Sequence, residues 1–153
     1  MEKFDPFSGR DIFDSKYRFA LDIVMEVRKW LLGLSRWKLP DIRYNLFTDE
    51  HKKAIKRYEF SQEENFISAI KKNTNGIFDN NTFTLCLERF KETYKPEQYS
   101  ELGFVSYCSA IAFLGVYFSE KSGTKFGIDE AIDTIISLLS DILSRGSLGQ
   151  SSW

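Results

Sequence analysis

Between Leu102 and Phe118 the chain runs LGFVSYCSAIAFLGVYF without a charged residue. A helix of that composition has no polar face to give to water, so other elements must enclose it. The stretch therefore restricts the fold to one built around a wrapped, central helix. It is shorter than the roughly 20 residues that cross a bilayer. Ser106, Tyr107, Ser109, Gly115 and Tyr117 also dilute its hydrophobicity, so a membrane span is the weaker reading. Small residues (Ser106, Ser109, Ala110, Ala112, Gly115) interleave with Phe104, Tyr107, Ile111, Phe113 and Leu114, which lets neighbouring helices approach closely.

The flanking segments supply the wrapping. Phe13, Tyr17, Ala20, Leu21, Val24, Val27, Leu31 and Leu34 recur at steps of three and four, which predicts an amphipathic helix over about 14 to 35 with Asp14 or Ser15 as its cap. The stretch from Trp37 to Phe47, interrupted by Pro40, reads as a connection packed on the core. Thr48 and Asp49 can cap a second helix with Ala54, Ile55 and Tyr58 on one side and Lys52, Lys53, Lys56 and Arg57 on the other. Ser61-Gln-Glu-Glu64 has the pattern of a capping box, so either a fresh helix starts there, carrying Phe66, Ile67 and Ile70, or one helix bends near Phe60. Asn75-Gly76 favours positive φ in a turn, after which Asn81 or Thr82 caps a helix with Phe83, Leu87, Phe90 and Tyr94 on one stripe, ended by Pro96. Gly123 and Gly127 mark a tight reversal, and Ile128, Ile132, Ile135, Ile136, Leu139, Ile142 and Leu143 form the last long stripe, with Asp129, Glu130 and Asp133 expected in its first turn and Gly146 as its stop. The expectation is an all-α bundle of six to seven helices, one domain over 1–153 with residues 1–12 as a flexible start.

Composition agrees. Fourteen phenylalanines against three prolines in 153 residues favour long helices around an aromatic core. A net charge of −1 supplies no field for bulk attraction to nucleic acid or anionic lipid. Cys86 and Cys108 lie in apolar runs without a metal-spaced partner, which predicts buried thiols in a reducing compartment. The opening EKFDPFSGRD is acidic and lacks a secretory h-region, so the chain is expected to stay inside the cell.

Little in the sequence points to catalysis. His51, the single histidine, sits among Glu50, Lys52 and Lys53 on a face expected to be exposed. Glu101 could act as a base, although a carboxylate in the first turn of a helix is explained by the helix dipole. No Gly-rich phosphate loop, HExxH or paired CxxC occurs, so neither an enzyme nor a cofactor is expected. The basic residues 52, 53, 56 and 57, with 71 and 72, read as a solvated helix face rather than a nucleic-acid site, given their acidic neighbours.

A hydrophobic hairpin preceded by amphipathic helices and closed by a small-residue turn plus tryptophan resembles the core of the Bcl-2 family of apoptosis regulators. That family's first homology region centres on Asn-Trp-Gly-Arg at the start of its central helix; the corresponding stretch here is Glu101-Leu102-Gly103-Phe104, which retains the glycine alone. Its second homology region ends in a Gly-Gly-Trp-like turn, which Gln150-Ser151-Ser152-Trp153 resembles, and the 50 residues from Gly103 to Trp153 match the family's usual separation. The resemblance covers most of the chain through the order and spacing of its parts, and the divergence suits a viral member.

The resemblance implies a Bcl-2-like bundle and a pro-survival function: a hydrophobic groove that sequesters amphipathic death-motif helices (Bcl-2 homology region three) of pro-apoptotic relatives. The groove residues it implies are Ile55, Tyr58, Phe66 and Ile70 from one wall, Leu87, Phe90 and Tyr94 from the other, and Glu101, Leu102, Gly103, Phe104, Tyr107 and Ile111 from the central helix. Tyr58, Tyr94 and Phe104, large aromatics beside charges, are its leading candidates. The family's arginine, which pairs with a ligand aspartate, is replaced by Phe104, so a narrower ligand range is implied unless Arg57, Arg89 or another cation substitutes. The implied location is the cytoplasm or the mitochondrial outer membrane, of the host cell for a viral member, either without a membrane tail or with one removed, and homodimerisation is a further option. The competing readings are a Bcl-2-fold viral protein that binds host signalling adaptors through outer surfaces, and an unrelated all-helical interaction domain. A pro-death relative is disfavoured, because AIKRYEFSQ (54–62) lacks the Gly-Asp pair of a death helix.

Overall fold

The structure, a computed structural model, describes residues 14–33 and 46–145, and these form five helices: α1 (Ser15–Leu32), α2 (Asp49–Thr74), α3 (Asn80–Tyr94), α4 (Glu101–Ser122) and α5 (Phe126–Arg145). The expected start at 1–12, the connection around Pro40, the stop at Gly146 and the turn at Trp153 lie outside the described residues.

Local chemistry sets the helix ends. Asp14 caps α1 by accepting the backbone N–H groups of Lys16 and Tyr17, and Gly33 closes it in the left-handed conformation that favours glycine. Asp79, rather than Asn81 or Thr82, caps α3. Its carboxylate accepts the Thr82 N–H while the Thr82 hydroxyl accepts the Asp79 N–H, a reciprocal pairing that places the start earlier than the sequence expectation. Asn75 and Gly76 both take positive φ in the turn after α2, and α3 ends at Tyr94, just ahead of Pro96.

Helix α2 is a single helix through Phe60, so of the two alternatives left open at Ser61 the one-helix reading holds and no fresh start occurs. With the surrounding amides inside a continuous helix, the Ser61 hydroxyl donates back to the Tyr58 carbonyl at 3.0 Å instead of capping. This continuity is one reason the described residues hold five helices where six to seven are expected from the sequence.

Helix α4 is the core. Each of the other four helices packs on it, and its residues from Val116 back to Phe104 are almost all inaccessible to solvent. It is long and apolar enough to cross a membrane, but 78% of its most apolar window is buried inside the bundle. Ring contacts give the helix directions. Phe19 meets His51 and Trp30 meets Phe60, so α1 and α2 run parallel. His51 meets Glu101 and Phe66 meets Phe113, so α2 also runs parallel to α4. Phe83 meets Phe118 while Tyr107 meets Lys91, so α3 runs against α4.

Helices α4 and α5 pack backbone to backbone next to the reversal that joins them. A Cβ added at Gly115 would lie 2.5 Å from the Gly127 carbonyl oxygen and 2.6 Å from the Ala131 Cβ, so α4 and α5 approach at a distance that only glycine allows. Ser119 of α4 accepts the Ile128 N–H at 2.9 Å, satisfying a first-turn donor of α5. Ile128, Ala131, Ile132, Ile135, Leu139 and Ile142 then bury the expected stripe. Helix α1 is buried more widely than its single stripe predicts, with Phe19 and Ile23 also enclosed, because α2, α4 and α5 all contact it.

Candidate functional site

The seam where α2 and α3 meet over α4 gathers most of the residues expected to bind a ligand helix. Residues 55, 59, 66 and 70 fall at helical steps on one face of α2, and 83, 86, 90 and 94 do so on α3. Phe66 is the hub of the seam. Its ring lies 5.0 Å from those of Tyr94 and Phe113, 5.7 Å from Phe90 and 5.9 Å from Tyr58. Fully burying such a side chain contributes about 2–3 kcal/mol, and edge-on or tilted ring pairs add to that. Tyr58 and Tyr94 remain half-buried above it. Burial, with Tyr94 and Glu59 close by, pushes the Tyr58 hydroxyl up to about 12, and burial also raises that of Tyr94. The Tyr107 hydroxyl donates to the Lys91 carbonyl at 3.2 Å, tying α4 to α3.

The other expected site residues divide into three groups. Ile55, Phe66, Ile70, Phe90, Tyr107 and Ile111 are buried core, so they form a filled floor. Leu87 is half-buried on α3, and Leu102 is exposed at the start of α4 beside Gly103, whose N–H donates to the Ser100 hydroxyl. Phe104 departs from expectation. Instead of joining Tyr58 and Tyr94 at a partner-facing edge, it is fully buried against the α1 side of α4, stacked on Phe19 at 6.4 Å and met edge-on by Tyr99 at 5.8 Å. Charged sequence neighbours such as Glu101 are therefore no guide to its exposure.

His51 also departs from expectation. It is fully buried, not exposed, with Phe19 and Phe47 against its ring. Its Nδ1 accepts the Thr48 backbone N–H at 3.1 Å, which leaves the proton on Nε2, and Nε2 donates to Glu101 Oε2 at 2.6 Å. The histidine thus completes the α2 cap, with the Thr48 hydroxyl accepting the His51 N–H in return, and joins the start of α2 to the start of α4. Both ring nitrogens are engaged in these structural bonds. The Thr48-x-x-His51 spacing is the signal in the sequence, because histidine takes the place that Glu or Gln holds in a capping box.

Sequence reasoning misses Glu59. It lies on the buried stripe of α2 between Ile55 and Phe66, is fully inaccessible, and neither carboxyl oxygen has a hydrogen-bond partner. Burial drives its carboxyl well above the usual carboxylate range; the nearby Ser109 hydroxyl opposes the shift and Glu63 adds to it. The Ser109 proton is directed to the Ser106 carbonyl at 2.8 Å, so burial is the larger influence and favours the neutral form of Glu59. Its position on an otherwise apolar helical stripe is the signal that could have found it.

Nucleophilic and metal chemistry gain no support. Burial pushes the Cys86 thiol up to about 11 and the Cys108 thiol well above its ordinary value, the reverse of activation. Among the described residues no group of three His, Cys, Asp or Glu converges as a metal site. In comparisons with known proteins, no family model, no curated protein and no solved structure matches the chain.

Proposed function

We propose that this chain is a Bcl-2-like pro-survival protein that sequesters the amphipathic death-motif helix of a pro-apoptotic relative between α2 and α3. The observation that supports the reading most is the seam itself. Two half-exposed tyrosines, Tyr58 and Tyr94, cover a continuous aromatic floor of Phe66, Phe90 and Phe113 along the charge-free run of the wrapped helix α4. A helix ligand presents apolar side chains at i, i+3 or i+4 and i+7, and such a floor suits them once α2 and α3 part. The parting has a cost, because the floor is closed by ring contacts in the free protein. On this reading binding is therefore selective and slower than to a preformed groove.

The experiment is calorimetric titration of the folded domain against a panel of death-motif helices, with Tyr94→Ala beside it. Submicromolar binding to at least one helix, weakened at least about tenfold by Tyr94→Ala in a variant whose thermal melt remains cooperative, is the expected result. No binding across the panel by a folded sample overturns the proposal. The outer-surface reading, in which the bundle engages a signalling adaptor, is favoured by the burial of Ile55, Ile70, Phe104 and Ile111, which leaves less of the expected groove accessible.

A further inference from the structure

Among the described residues, the most exposed large apolar side chain lies away from the seam. Phe60, on the outer face of α2, is 78% exposed, and its ring meets Trp30 of α1 edge-on at 6.3 Å. Because α1 and α2 run parallel, two matching faces converge along their seam. Lys53, Lys56, Arg57 and Phe60 follow steps of three, one and three on α2, and Glu26, Lys29 and Trp30 follow steps of three and one on α1. Between these faces lie two depressions of about 300 and about 280 Å³, which share Trp30 and Lys56 and so form one trough. Ile55 contributes to the inner depression.

The trough is apolar at its centre and cationic at its rim. Lys29, Lys53, Lys56 and Arg57 stand around it, with the carboxylate of Glu26 among the lining groups. The Lys53 ammonium lies 3.8 Å from Glu50, an exposed contact that releases easily, and no ion pair joins Lys29, Lys56 or Arg57 to another described residue. Four cations gathered in a chain of net charge −1 are a local excess, and they come from two separate helices.

We propose that this α1–α2 trough docks an acidic segment of a partner protein through one or two bulky apolar side chains set beside Trp30 and Phe60. The carboxylates of that segment meet the Lys29, Lys56 and Arg57 rim, which sets its orientation and speeds encounter, while the apolar anchors supply the affinity. A concave trough favours an inserted peptide side chain over a flat anionic membrane. The site shares no residue with the Tyr58–Tyr94 seam except Ile55, and it stands if the death-helix reading fails.

The test uses a fluorescein-labelled peptide rich in Glu and Asp, with two Leu residues one helical turn apart, followed by anisotropy and by amide chemical shifts of the protein. Controls are the same peptide with both Leu replaced by Ser, a Lys-rich counterpart, and vesicles of phosphatidylcholine with phosphatidylserine. The expected result is saturable binding of the acidic Leu peptide alone, weakened by salt, with shifts centred on Lys53 to Phe60 and the Trp30 indole. Phe60→Ser and the double variant Lys56→Glu, Arg57→Glu should each weaken it at least about tenfold, and all three side chains are exposed, so their loss does not unfold the bundle. Absence of binding, binding that survives both variants, or association with the vesicles in place of the peptide overturns the proposal.

Discussion

Helix α4 is held by α5 and by α2 in opposite ways. Against α5 the contact is steric and apolar: Gly115 and Gly127 bring the backbones together, and the isoleucines of α5 fill the interface around them. Against α2 it is aromatic at one end and polar elsewhere, with the His51–Glu101 bond at the helix starts, Glu59 without a partner in the middle, and Phe66 on Phe113 beyond. The first interface gains everything from closeness and tolerates no added atom. The second contains groups whose energy depends on protons and on a cap, so it is the side of α4 whose hold changes with conditions.

That contrast can be broken most severely on the α5 side. Gly115→Ala puts a methyl group into the Gly127 carbonyl and the Ala131 side chain, neither of which can swing away. A loss of about 2–3 kcal/mol is expected, in the range of overpacked cores, read as a lower urea midpoint. Unchanged stability would show that α4 and α5 are not this close.

On the α2 side, Glu59 gives a pH signature. Its folded-state carboxyl is raised above its unfolded value, so its contribution is fully present below the ordinary carboxylate range and is lost as pH climbs toward the folded value. In that window stability should fall by up to about 1.4 kcal/mol per pH unit. Glu59→Gln should flatten this part of the profile and match or exceed the parent at the alkaline end. Urea midpoints from about pH 5 to about pH 9 test this, and parallel profiles for parent and variant would mean that Glu59 reaches water or a partner.

The smallest effect sharpens the same comparison at the helix start. Thr48→Ala removes the oxygen that accepts the His51 N–H but leaves the backbone amide that His51 Nδ1 receives. The expected cost is about 1 kcal/mol, with amide exchange faster over the first turn of α2 and unchanged in α5. Equal acceleration in α5 would mean that the two interfaces respond as one unit.

Much of the bundle is legible in the order of its residues. The charge-free run at 102–118 demands a wrapped helix, and α4 is one. Asp14, Asn75-Gly76 and Pro96 mark ends close to where helices begin or stop, because caps and turns act within a few residues. The cap at Asp79 and the continuity of α2 are less legible, since Ser61-Gln-Glu-Glu64 carries a start signal that a continuous helix overrides. In the candidate site, periodicity puts Phe90 and Tyr94 on one stripe of α3, and the structure brings both onto Phe66. Charged neighbours in the sequence mislead for Phe104 and for His51, both of which are buried, and Glu59 is overlooked.

The division has a physical cause. Spacing along one helix decides which face turns inward, and short-range hydrogen bonding decides where the helix ends, so the sequence alone determined an all-helical chain with α4 at its centre. What covers each inward face is decided by residues far away in the chain. His51 is buried because Phe19, Phe47 and Glu101 surround it, the last of them 50 positions later. Phe104 is core because α1 supplies Phe19 to stack on it. The cationic trough exists because parallel packing sets Lys29 and Trp30 of α1 beside Lys56 and Phe60 of α2. Helix pairing is a property of the closed bundle, and only the tertiary structure decided it.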